Sequence, residues 1–144
     1  MTTFVKDLMT KDVVSLNQDE DFVSADQIMR LKHVRHLPVV SGKKLVGLVT
    51  HRDLLRAQAK LLTTLSATDE EQMISVTAAD FMSEVLVTCR PDTPADDAAR
   101  NMRDKKIGCV LVTENDQLVG ILTETDIMSW AIEVMAKHRF DGTT

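Results

Sequence analysis

The sequence predicts an α+β fold built from two copies of one strand–helix–strand–strand–helix unit, related by a pseudo-twofold axis. Residues Asp7–Leu55 lie over Asp80–Met128 at a constant offset of 73 with no gap, and 14 of the 49 paired positions are identical. Chance at ordinary composition gives roughly three. Within each copy, short β-branched runs alternate with a helical apolar period. At 144 residues the two copies are small enough to need each other's apolar faces.

Each unit opens on a strand, Val13-Val14-Ser15-Leu16 in the first and Leu86-Val87-Thr88-Cys89 in the second. Helix-start chemistry follows: Asp19 ahead of Phe22, and Asp92-Thr93-Pro94, where proline suits a first turn. Apolar spacing then turns helical at Phe22, Ala25, Ile28 and Met29, and at Ala95, Ala98, Ala99 and Met102. The runs Leu37–Val40 and Cys109–Val112 are strands, joined to Leu45–Val49 and Leu118–Leu122 by short polar turns, so each pair is a hairpin. A second helix opens near Thr50 and near Thr123. Leu54, Leu55, Leu61, Leu62 and Leu65 carry the first of these on to about Leu65, and Thr68-Asp69-Glu70-Glu71 fits a capping box for a further short helix. The extension, and the closing stretch Ser129–Phe140 with Trp130, Val134 and Met135, reads either as core helix or as a face joining two chains. Lys137, His138 and Arg139 suit the end of the last helix, and Gly142-Thr143-Thr144 is expected to fray. Along the chain this gives repeat 1 at 1–66, a helical connector at 67–76 and repeat 2 with its terminal helix at 77–144.

Composition removes several function classes. A net charge of −5 speaks against a nucleic-acid surface, and one Trp, four Phe and no Tyr leave no stacking platform for single strands. No apolar run approaches the ~20 residues of a membrane span. The opening Met1–Asp7 lacks a signal-peptide pattern. Cys89 and Cys109 sit in apolar strand segments without metal-type spacing, which fits reduced, buried thiols and a cytoplasmic location.

The chemistry concentrates in two strand-to-helix junctions, Gly47-Leu48-Val49-Thr50-His51-Arg52-Asp53 and Gly120-Ile121-Leu122-Thr123-Glu124-Thr125-Asp126. Each puts a hydroxyl at a helix start and a carboxylate one turn in. Plain capping produces that pattern. So does a site in which threonine and free N–H groups meet a phosphate while aspartate accepts from paired ribose hydroxyls. The glycine leaves room for close approach of another group.

The run His33-Val34-Arg35-His36-Leu37-Pro38-Val39-Val40, its hairpin and the junction that follows resemble a cystathionine-β-synthase (CBS) domain, and the second repeat resembles another. The resemblance covers roughly residues 3–66 and 77–136 and is weaker where Gly108-Cys109-Val110-Leu111 replaces Arg35-His36-Leu37-Pro38. It implies a tandem pair, or Bateman module, packed sheet to sheet, whose clefts bind AMP, ADP, ATP or S-adenosylmethionine, and which commonly dimerises. On that resemblance Thr50 and Thr123 contact phosphate or ribose oxygens, and Asp53 and Asp126 hold the ribose. Val14 and Val87 line the adenine slot with backbone groups, while Val34, Arg35 and His36, and Ile107, Gly108 and Cys109, face the base or phosphates. His51 and Arg52 add positive charge beside the first junction, where the second has Glu124 and Thr125, so a polyphosphate should prefer one cleft.

His33, His36 and His51 do not form a recognised metal set, and the methionines Met29, Met102, Met128 and Met135 fall on helix faces as apolar filler. No nucleophile and base can be paired in the sequence, so no catalytic residue is assigned. The expectation is a regulatory module rather than an enzyme: a homodimer that binds an adenosyl ligand and passes its state to a regulated protein the sequence does not identify. The competing reading is a ligand-independent interaction module with vestigial clefts.

Overall fold

The computed structural model describes residues 2–64 and 76–140. The expected further helix at Thr68–Glu71 and the tail at Gly142–Thr144 lie outside them. The described elements are α1 (Val5–Leu8), β1 (Leu16–Asn17), α2 (Phe22–Lys32), β2 (His36–Ser41), β3 (Lys44–Thr50), α3 (His51–Thr64), α4 (Ala78–Phe81), β4 (Thr88–Cys89), α5 (Ala95–Lys105), β5 (Cys109–Glu114), β6 (Gln117–Thr123) and α6 (Glu124–Phe140). The order is the predicted α+β one, with α1 and α4 added ahead of the repeats. Those two helices are a single turn each, too short to show an apolar period.

Two compact units result, one comprising Val14–Leu86, the other comprising the chain up to Val13 together with Val87 onward. Each is therefore completed by the segment that precedes the other repeat. In the Val14–Leu86 unit, the β2–β3 hairpin pairs antiparallel and β1 adds parallel to β2 through Leu16↔Val39 and Asn17↔Val40. In the second unit β5–β6 and β4 repeat that arrangement, with Cys89↔Val112 in the place of Leu16↔Val39. Both hairpins carry a register shift at the matched sites Val39/Val40 and Val112/Thr113. The bulge lets the inward-facing set change phase before the turn.

The first strands are shorter than the sequence suggests, because only two residues of each pair with the hairpin. Phe22 opens α2, but the cap is Asp21, whose carboxylate accepts from the Ser24 N–H at 2.8 Å; Asp19 instead closes a turn on Asn17. Pro94 stands at the N-cap of α5 rather than within its first turn. α2 and α5 end on His33 and Lys106 in the left-handed region, at φ 54° and 56°. Each donates its N–H back to close the last turn.

Three identical pairs of the repeat lie in the core. Ala25, Met29 and Val39 are buried with Leu16, Phe22, Leu37, Val49 and Leu54 in one unit. Ala98, Met102 and Val112 are buried with Val5, Val110 and Leu122 in the other. Phe22 and Phe81 meet edge to face at 5.8 Å, tying α2 to α4. The matched acids Asp7 and Asp80 accept from the backbone N–H of Phe4 and Thr77, both at 2.9 Å, and so cap α1 and α4.

Gly47 and Gly120 show what the close approach is for. Met82 lies on Gly47 and Met9 on Gly120; a Cβ at Gly120 would stand 2.5 Å from the Met9 sulfur and 3.2 Å from the Thr10 carbonyl oxygen. The preceding segments then add to the strands. Thr10 exchanges backbone hydrogen bonds with Ile121, and Ser83 with Leu48. Among the described residues no helix is long and apolar enough to cross a membrane.

Candidate functional site

The junction β3–α3 positions the first candidate corner. Thr50 ends β3 opposite His36 on β2, and the His51 N–H donates to the Arg35 carbonyl at 2.9 Å. Arg35, His36, Thr50, His51, Arg52 and Asp53 are thereby gathered at one end of the hairpin. Val34 packs on the core behind them, as does Val14 ahead of β1. Thr50, Asp53, His36, Val34 and Val14 are half-buried, and Arg35, His51 and Arg52 are exposed. The second corner is built in the same way. Thr123 pairs opposite Cys109, and the Glu124 N–H donates to the Gly108 carbonyl at 3.2 Å. Thr123, Asp126, Ile107, Gly108 and Val87 are half-buried, Cys109 is buried, and Glu124 and Thr125 are exposed.

Both threonine–aspartate pairs are capping boxes. The Thr50 N–H donates to Asp53 Oδ2 at 2.8 Å, and the Asp53 N–H returns to Thr50 Oγ1 at 3.1 Å. In the second corner the corresponding distances are 2.9 and 3.3 Å, and the Thr123 hydroxyl also donates to Asp126 Oδ2 at 3.1 Å. Capping and ligation are compatible. An ionised carboxylate offers about four lone-pair sites, and the box engages only one of its two oxygens. It also holds the other oxygen in place at the positive end of a helix.

The second corner contains a group that sequence reasoning missed. The Thr10 hydroxyl donates to Asp126 Oδ1 at 3.1 Å. Its only sequence signal is the pairing of Met9-Thr10 with Met82-Ser83 at the repeat offset. His33 is not part of either corner; it serves as the exposed left-handed cap of α2. The two corners differ in charge, with Arg35 and Arg52 at the first and Glu124 at the second. The thiols face the interior. Burial pushes Cys109 up to about 12 and half-buried Cys89 up to about 11.

With this geometry the CBS domain model matches twice, over residues 5–60 and 78–133, and the chain belongs to that family as a tandem pair. Among solved structures, the AcuB protein of Vibrio cholerae superposes with a TM-score of 0.83 at 28% identity, over 98% of each chain. The CBS domain pair of protein MJ0100, solved with 5′-methylthioadenosine and S-adenosyl-L-methionine, gives 0.75 at 28% identity over 89% of this chain and 98% of its own. CBSX2 in complex with AMP gives 0.77 at 26% identity over 92% of this chain and 98% of its own. The CBS domain-containing protein YhcV of Bacillus subtilis is 29% identical over 85% of this chain and 81% of its own. A homoserine O-acetyltransferase of Methanohalobium evestigatum is 32% identical over 87% of this chain, but the chain spans only 23% of its length.

Proposed function

We propose that the protein is a regulatory sensor that binds an adenosine-containing ligand (AMP, ADP, ATP or S-adenosylmethionine) at its threonine–aspartate corners and conveys occupancy to a partner. The observation that carries this is the corner itself. A half-buried aspartate is fixed by a capping box, with no described residue donating to its other carboxylate oxygen, beside a threonine at a helix start and two arginines. A ribose supplies the paired hydroxyls that carboxylate can accept, and the N-terminal end of a helix favours the attached anion. Structural relatives solved with AMP and with S-adenosyl-L-methionine support the ligand class. Arg35, His51 and Arg52 tilt the choice at the first corner toward phosphate-bearing ligands.

The test is thermal denaturation with each of the four ligands. A ligand at 100 times its Kd adds about 2.7 kcal/mol to stability. That gain should shrink in Asp53→Ala and vanish in Asp53→Ala combined with Asp126→Ala. If no ligand stabilises the wild type, the competing reading of a ligand-independent interaction module prevails. Homodimerisation belongs to the same proposal. α6 carries Met128, Ile132 and Met135 at helical spacing, 60%, 55% and 61% exposed, a stripe suited to a second copy. Light scattering of wild type and Ile132→Lys reads this directly, and a monomeric wild type removes it.

A further inference from the structure

Equivalent polar groups stand at equivalent places in the two repeats, but their acceptors are not equally free. Thr10 and Ser83 are matched positions, and each exchanges two backbone hydrogen bonds with its strand, Thr10 with Ile121 at 2.9 and 3.0 Å and Ser83 with Leu48 at 2.8 and 3.0 Å. Their side chains diverge. Thr10 donates to Oδ1 of Asp126, whose Oδ2 already accepts from the Thr123 N–H and hydroxyl. Both oxygens of that carboxylate are engaged by the protein. Asp53 uses Oδ2 alone, and among the described residues nothing donates to its Oδ1. A second difference is independent of the first. The Leu111 N–H donates to the Val87 carbonyl at 3.1 Å. The matched residue in repeat 1 is Pro38, which has no N–H, and among the described residues no other donor serves the Val14 carbonyl.

We infer that the two corners are unequal by construction: the Asp126 corner is latched by the Thr10 hydroxyl, which competes with a nucleoside's ribose for the carboxylate, whereas the Asp53 corner is open and receptive. This rests on the proposed adenosine-ligand function and specifies which corner fills first. A ribose hydroxyl arriving at Asp126 must replace an existing charge-assisted bond, so it gains only the difference between the two. At Asp53 it meets an oxygen to which no described residue donates, and an adenine amino group meets a second such acceptor on Val14. The charges at the two corners reinforce the same order.

Calorimetric titration of the full chain with AMP tests the latch. In an Asp53→Ala background only the Asp126 corner remains; there Thr10→Val should tighten AMP binding about five- to tenfold. Thr10→Ser keeps the hydroxyl and should hold the background affinity. Should Asp53→Ala unfold the chain, Asp53→Asn retains an acceptor for the Thr50 N–H and replaces it as background. Unchanged or weaker binding on Thr10→Val overturns the latch while the wild type still binds AMP. If the wild type binds none of the four adenosyl ligands, the functional reading itself falls and takes the latch with it.

Discussion

Gly120→Ala probes the packing that places the N-terminal segment against the second repeat. The new methyl would stand 2.5 Å from the Met9 sulfur, 3.1 Å from Met9 Cγ and 3.2 Å from the Thr10 carbonyl oxygen. The sulfur ends a flexible side chain and can retreat. The carbonyl cannot, because Thr10 is held to Ile121 by hydrogen bonds in both directions. Overpacking of this kind costs roughly 1–3 kcal/mol, and the mobile sulfur places the expected value near ~2. Met9→Ala alone loses apolar contact and leaves a gap, but it removes the main obstacle to the new methyl. The double variant Met9→Ala with Gly120→Ala should therefore be about 1 kcal/mol more stable than the sum of the singles predicts. Urea unfolding of the four proteins measures this. Strict additivity would refute the contact, since coupling between residues so far apart in sequence has no other source. Gly47→Ala should cost more than Gly120→Ala, because even the Cβ of Met82 would be 3.2 Å away.

Replacing His33 or Lys106 by Gly relieves a left-handed non-glycine cap, and each change should raise stability by about 0.5–1 kcal/mol in a thermal melt. Cys109 should resist thiol reagents at pH 8 until the protein is unfolded, as its buried thiol titrates only near 12. The sign follows from linkage: a thiol held protonated in the native state contributes stability that is whole below its unfolded value of 9.0 and is lost as pH rises toward about 12. The slope approaches about 1.4 kcal/mol per pH unit, and Cys109→Ala should flatten an alkaline unfolding curve over that window. Arg100 pairs with Asp96 and Asp97 at 2.7 and 3.2 Å, but all three are well exposed, so Arg100→Ala should cost under ~1 kcal/mol in urea.

Much of the fold was legible because duplication filters noise. Ala25 and Ala98, or Met29 and Met102, are helix positions that a single copy could assign to core or surface, and the same apolar helical spacing recurring in both copies marks them as core, where they lie. Gly47 and Gly120 likewise announced a close approach. Which group approaches was not legible, since periodicity describes a segment's own face and not the distant segment that covers it. Met9 and Met82 therefore gave no sign of their partners, and division of the chain by repeat does not show that each compact unit borrows the turn before the other repeat. The cap of α2 fell on Asp21 rather than Asp19 because Asn17 draws Asp19 into a turn of its own. At the corners, the threonine and aspartate positions were readable from helix-start chemistry alone. Thr10 was not, as its hydroxyl reaches Asp126 only through the crossing segment.

Sensing requires that a ligand distinguish two states of the chain, and the proposed latch would supply such a difference at one corner. If the Thr10 hydroxyl weakens AMP at Asp126 tenfold, AMP at Asp126 must weaken the Thr10 bond by the same factor, about 1.4 kcal/mol. That quantity acts on a defined element. Thr10 follows α1, whose Val5 is wholly buried in the second unit's core, and Met9 between them fills the space over Gly120. At the Asp53 corner the residue matched to Thr10 is Ser83, which exchanges backbone hydrogen bonds with Leu48, and no described residue donates to Asp53 Oδ1. On the proposed function, two corners that differ in this way would divide the work: occupancy at Asp53 would add stability without displacing Thr10, and occupancy at Asp126 would loosen the segment before repeat 1. Faster exchange of the amides of Thr10 and Ile121 once AMP is raised from one equivalent to saturation is the signature of that division. Equal protection at both ligand levels would mean the second corner binds without releasing its latch.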